Sequence, residues 1–307
     1  MSQPSTFSTP SLDDLDVAAT SRRPSSRGPV APTAERRVPE RSARRARVEA
    51  VAFVAVWVAS GYALHLDANA YLLLGIPLTL GFQVLVRRRP VRELFAAGAT
   101  RFRLSTRGLA LALALAAVPA VFAWRALAGG DPALVCWYLA AVVGAFAAAF
   151  ALGVGSVRAA LRAAATPIAI GSGGMALVYG ALHLATGTPV SATGAVAAVA
   201  TYTALYFPAT FLLEEVAFRG AIDAHVHRQG TGRDWRSAVF VSVLWGLWHL
   251  PVAHGLPWPL QLVELVVVHV VIGVPLSFAW RRHRNLAGPA LAHAVIDAVR
   301  NASMLGL

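Results

Sequence analysis

Two adjacent carboxylates and an arginine stand near the end of an apolar run, from Thr210 and Phe211 through Glu214, Glu215 and Arg219 to Gly220. A carboxylate at membrane depth is costly, and intramembrane acids generally face a bundle interior or a watery cavity, where they carry function. A helix end leaving the bilayer would also account for the charges. On a helix Glu215 and Arg219 are four residues apart and share a face, which favours an ion pair between them. Glu214 points about 100° away. One acid is then held by the arginine while its neighbour stays available, a division of labour suited to general-base chemistry.

Two further stripes carry polar groups at the same spacing. Trp245 and His249 are four residues apart in one apolar stretch, and His293 and Asp297 are four apart in the last. Facing helices can bring such stripes together in a bundle core. The chemistry that fits is activation of water. A desolvated glutamate gains proton affinity and can take a proton from water, and histidines can share that proton or donate to a developing oxyanion. Ser242 lacks the setting of a strained nucleophile, and the chain has no His-Glu-x-x-His zinc pattern. Glu264 stands without a basic neighbour in sequence and is left outside the site. His65, His183 and His269 are read as packing residues, and His225 and His227 as members of a solvated polar loop.

The elements that must position these groups are transmembrane. The chain has 307 residues, 57% of them hydrophobic and 14% charged, against about 25% charged in ordinary soluble domains. Mean hydropathy is +0.59. Nine apolar stretches, roughly 49–65, 68–86, 108–128, 132–156, 166–185, 194–213, 236–252, 260–280 and 286–306, are each near the span of a bilayer. The short link at Leu66 to Asn69 leaves the first two open to being one tilted pair. The expected fold class is therefore all-α, a polytopic transmembrane helical bundle with about eight to nine spans. Its organisation reads as an Arg/Ser/Pro-rich disordered cytoplasmic tail over 1–48, N-terminal transmembrane helices over 49–164, and a catalytic transmembrane core over 165–307. Neither a signal peptide nor a transit peptide is expected in that tail.

All 27 basic residues are arginine, and the net charge is +12. They cluster before residue 48, between Arg87 and Arg107, at Arg158 and Arg162, between Arg219 and Arg236, and between Arg281 and Arg284, which is every second connection. The intervening links are Gly/Pro turns without arginine. Arginine-rich loops stay cytoplasmic, so the N terminus is expected inside. Because the arginines line tails and short loops instead of one face, nucleic acid is not an expected partner. The lone cysteine, Cys136, rules out an intramolecular disulfide and a cysteine zinc cluster and is read as packing.

Taken together, the three motifs resemble the CPBP family, the CAAX proteases and bacteriocin-processing enzymes also called the Abi family. Glu214, Glu215 and Arg219 match its Glu-Glu-x-x-x-Arg, Trp245 and His249 its Phe-x-x-x-His, and His293 and Asp297 its His-x-x-x-Asn/Asp. The resemblance covers about residues 165–307. It implies an intramembrane glutamate-dependent endopeptidase acting on a membrane-associated peptide or protein, without a cofactor. In it Glu214 and His249 activate water, and His293 and Asp297 stabilise the oxyanion, with Glu215, Arg219 and Trp245 in support. Trp245 stands where the family has Phe, an exchange expected to alter packing alone. Asp297 stands where many members carry Asn. An ionised carboxylate accepts but does not donate hydrogen bonds, so orienting His293 is its expected task. An aspartate there also admits a metal-dependent protease as a minority reading, since Glu, His and Asp all bind zinc.

The competing class is a non-enzymatic membrane protein, a transporter or a bacteriocin-immunity protein. Against transport, the two halves show no matching interrupted helices. An all-arginine, alanine-rich chain suggests a GC-rich bacterial genome and a multi-pass protein of the plasma membrane.

Overall fold

The computed structural model describes residues 43–187, 191–227 and 234–304. The tail read over 1–48 lies outside the described residues as far as residue 42, and residues 43–48 already belong to the first helix. In order, the helices are α1 (Ala43–Ala63), α2 (Ala68–Gly81), α3 (Thr106–Gly129), α4 (Pro132–Val154), α5 (Val157–Thr186), α6 (Ala192–Thr210), α7 (Ala224–Val226), α8 (Trp235–Trp248), α9 (Trp258–His283) and α10 (Ala287–Met304). A π-helical turn over Phe82–Arg87 prolongs α2, and a longer π-helix over Phe211–Asp223 joins α6 to α7. Among the described residues, each of the nine apolar stretches holds a helix. Side-chain oxygens of Asp67, Ser105, Asp131, Ser156, Ser191 and Asp234 cap the starts of α2, α3, α4, α5, α6 and α8, satisfying amide groups that would otherwise be orphaned.

Among the described residues, seven helical segments are long and apolar enough to cross a membrane, so this is a multi-pass membrane protein. The two stretches that fall short are α8 and α10. α8 has 14 residues, or roughly 21 Å at 1.5 Å per residue. α10 carries His293, Asp297, Arg300 and Asn301 along its length. Neither needs a lipid-compatible surface all round, because both are wrapped by other helices. Ten residues of α10, among them His293 and Ile296, are buried. Large apolar side chains such as Leu113, Trp124, Val143 and Leu177 point outward from α3, α4 and α5, as lipid contact requires. Cys136 is exposed on α4, contrary to the packing role expected of it.

The arginine-rich connections meet at one end of the bundle. Arg87 Nη1 donates to Gly220 O at 2.8 Å, Ala97 N to Arg284 O at 2.8 Å, and Asn285 Nδ2 to Ala151 O at 2.7 Å. Arg281 pairs with Asp223 and also donates to Asp234 O at 2.7 Å and to Ser237 Oγ at 3.0 Å, fastening the π-helix, α8 and α9 together. His225 belongs to this end too. It was expected in a solvated loop, but the helix runs on through Val226, and its Nε2 lies 2.8 Å from Glu49 Oε2 of α1. At the opposite end a buried aromatic cluster sets the position of α8. Tyr71 donates its hydroxyl to Trp248 O at 2.7 Å, Trp57 donates to Tyr71 O at 3.0 Å, Trp248 packs against both rings, and Phe218 packs against Trp57 and Trp248.

Candidate active site

Three elements converge on the polar cluster: the π-helix, α8 and α10. Pro208 removes one amide donor from the ladder just before the winding widens. π-Helical windings are rare and concentrate at functional sites. This one carries Glu214, Glu215 and Arg219.

Glu215 is the held acid. Its Oε1 accepts from Arg219 Nη1 at 2.9 Å and lies 2.9 Å from His293 Nδ1, and the side chains of both Glu215 and Arg219 are fully buried. The Arg219 guanidinium lies over the Trp245 ring, 4.2 Å from its centroid, a cation–π contact. The pairing expected from the four-residue spacing is therefore present, and it extends to His293 on a different helix.

Glu214 is the less confined acid. About 10% of its side chain is exposed, against none of Glu215. Its Oε2 accepts from the Trp245 indole Nε1 at 3.0 Å and lies 4.0 Å from His293 Nε2. The exchange of Phe for Trp thus does more than alter packing, because an indole N–H donates where a phenyl ring has no donor. In sequence alone the two rings are equivalent apolar bulk.

His293 Nε2 lies 3.4 Å from Asp297 Oδ2, and Asp297 Oδ1 lies 3.3 Å from Arg300 Nη1. Asp297, itself paired with Arg300, therefore shares the Nε2 side of the imidazole with Glu214, while Glu215 holds the opposite nitrogen, Nδ1. Arg300 is not among the residues expected from sequence, although its place one turn beyond Asp297 is a signal for it.

His249 joins through α8. Its Nδ1 is 2.9 Å from Trp245 O. A carbonyl only accepts, so Nδ1 carries the hydrogen and Nε2 is left as the acceptor nitrogen. The ring is edge-on to Trp245, at 6.0 Å between centroids. Among the described residues His249 forms no hydrogen bond to Glu214 or His293. It meets the cluster through Trp245 and through His269.

His269 of α9 was set aside as a packing residue, and the structure brings it into the cluster. Its ring centroid lies 4.2 Å from His249 and 4.6 Å from Trp245, and its Nδ1 is 2.6 Å from Leu265 O. The same argument leaves its Nε2 as an acceptor. A signal was present, since a histidine in the most apolar of the spans, of hydropathy 2.2, is expensive without a polar purpose. Close backbone approach makes the meeting possible. A Cβ at Gly246 would lie 2.5 Å from Leu265 O, and one at Gly273 would lie 2.5 Å from Ser242 Oγ and 3.2 Å from Arg219 Nη2. Side chains at either position would force α8 and α9 apart.

The other residues weighed from sequence fall outside. Glu264 accepts from Gln261 Nε2 at 2.7 Å on its own helix, Ser242 Oγ donates to Ala238 O at 2.8 Å, and His183 Nε2 lies 2.8 Å from Ser303 O. Among the described residues no group of three or more His, Cys, Asp or Glu side chains has the geometry to hold a metal ion.

Residues 196–299 match the family model described as type II CAAX prenyl endopeptidase Rce1-like. No curated protein and no solved structure matches the chain. The matched segment contains all three motifs, from Glu214 to Asp297, and it supports the CPBP/CAAX protease family on which the motif reading rested.

Proposed function

We propose that the chain is an intramembrane endopeptidase of the CAAX-protease type that hydrolyses a peptide bond of a membrane-associated peptide or protein with water activated by Glu214. The observation that carries this reading is the contrast between the two acids. Glu215 is fully buried and engaged by both Arg219 and His293, whereas Glu214 keeps an exposed edge beside Trp245 and His293. A carboxylate tied to an arginine is a poor base, and the one beside it is free to work.

Glu214 takes a proton from water as the water oxygen bonds to the scissile carbonyl carbon. The carbonyl oxygen gains negative charge, and His293, held at Nδ1 by Glu215, donates to it from Nε2, the nitrogen on the Glu214 side that Asp297 steadies at the longer distance of 3.4 Å. The C–N bond then breaks, and the proton held by Glu214 passes to the departing amine. His249 presents Nε2 as a second acceptor on the α8 side. The match to an Rce1-like model supports the endopeptidase class, and the choice of a glutamate mechanism is our own inference.

Asp297→Asn separates a glutamate mechanism from a metal-dependent one. An asparagine still accepts a hydrogen bond from His293, so purified protein in proteoliposomes should cleave embedded peptides at a rate within about tenfold of wild type, with chelators having no effect. Activity that needs a metal and vanishes with Asp297→Asn would move the assignment to a metalloprotease, whose ligand set would need the carboxylate charge.

The proposed setting is a bacterial plasma membrane with the N terminus and the arginine-rich end in the cytoplasm. Support comes from the alternation of the links and from their meeting at one end of the bundle. With Cys136 replaced by Ala, single cysteines at the exposed positions Arg101 and His254 should report on opposite sides. An impermeant thiol reagent on intact cells is expected to label position 254 and to spare 101 until the cells are opened. The reverse pattern would invert the orientation.

A further inference from the structure

We propose that Trp245 is a positioning residue whose indole N–H anchors Oε2 of Glu214 and thereby makes Oε1 the atom that receives the proton from water. The inference rests on the reading of Glu214 as the base and adds which of its two oxygens works and what sets that choice.

Trp245 Nε1 is 3.0 Å from Glu214 Oε2, in a buried pair. An indole nitrogen donates and never accepts, so the bond favours the ionised carboxylate, the form that a base must have before it reacts. It also occupies Oε2 on the side where His293 Nε2 approaches to 4.0 Å. The remaining oxygen, Oε1, is left for water.

The indole is itself held rigidly, as an anchor must be. The Arg219 guanidinium covers its face at 4.2 Å. The imidazoles of His269 and His293 meet it edge-on, at 4.6 and 4.9 Å with interplanar angles of 87° and 82°. Only 2% of the residue is exposed. A side chain clamped on this many sides loses little further freedom when it donates, so the bond orients the carboxylate at small entropic cost. A phenylalanine at this position would fill most of the same space and leave the carboxyl group free to rotate.

Two measurements test the proposal, one of the bond and one of its consequence. Protein carrying indole-15N tryptophan has eight tryptophans, and the Trp245 N–H signal is identified by its loss in Trp245→Phe. Glu214→Ala should move that signal upfield and leave the others in place. A signal unmoved by Glu214→Ala would show that the bond does not exist in solution and would overturn the proposal, whatever Glu214 does in catalysis.

For the consequence, Trp245→Phe should lower kcat by about 10- to 100-fold, the scale of a hydrogen bond to a charged group, with KM within about twofold. In a Glu214→Gln background the same exchange should produce no further loss. If Trp245→Phe fails to fold, judged from the remaining indole signals, benzothienylalanine at 245 keeps the bicyclic shape with sulfur in place of N–H, and the same loss is expected. An unchanged kcat in either variant would overturn the positioning role. Full activity in Glu214→Gln alone would instead overturn the glutamate reading, and the spectrum would still report on the bond.

Discussion

Glu214→Gln is expected to lower peptide cleavage by about 10²–10⁴-fold, the usual contribution of a general base, with little change in folded yield or melting temperature. Glutamine keeps the shape of the side chain and an oxygen that can accept from Trp245 Nε1, now at 3.0 Å from Glu214 Oε2. What it lacks is the ability to take a proton from water. The assay compares wild type and variant on membrane-embedded peptides in proteoliposomes, with a thermal melt alongside. Cleavage undiminished in Glu214→Gln would end the glutamate mechanism.

Arg219→Ala is expected to act on the opposite quantity. Arg219 and Glu215 are fully buried, 2.9 Å apart, and Glu215 Oε1 also faces His293 Nδ1 at 2.9 Å. Removing one partner of a buried pair leaves an uncompensated charge, at a cost of about 3–5 kcal/mol. The guanidinium also packs on the Trp245 face, so the variant loses that contact as well. Its melting temperature and folded yield in detergent should fall sharply, while Glu214→Gln leaves both nearly unchanged. An Arg219→Ala protein as stable as its parent would mean that the pair does not hold the site together.

The two acids behave so differently because of surroundings that a linear pattern expresses only in part. The spacing of Glu215 and Arg219 was enough to foresee their pairing, since neighbours four apart on any helix share a face. It was not enough to foresee His293 as a third member, 78 residues from Glu215. The π-helical winding of Phe211–Asp223 was likewise hidden, because no simple residue period marks it in sequence.

The sequence by itself determined the helical class, the nine hydrophobic stretches, the alternation of arginine-rich and arginine-free links and the three polar motifs. All of these are local properties, set by apolar period, capping residues and charge placement within a few turns of chain. Tertiary structure alone decided that α8 and α10 could be short or polar, because burial among other helices replaces contact with lipid. It alone brought His269 against His249 and Trp245, since that meeting depends on glycines at 246 and 273 letting α8 and α9 approach closely. It alone turned Trp245 from an apolar filler into a hydrogen-bond donor for Glu214, because where a side chain's one polar atom points is fixed by the elements packed around it, and its identity leaves that open.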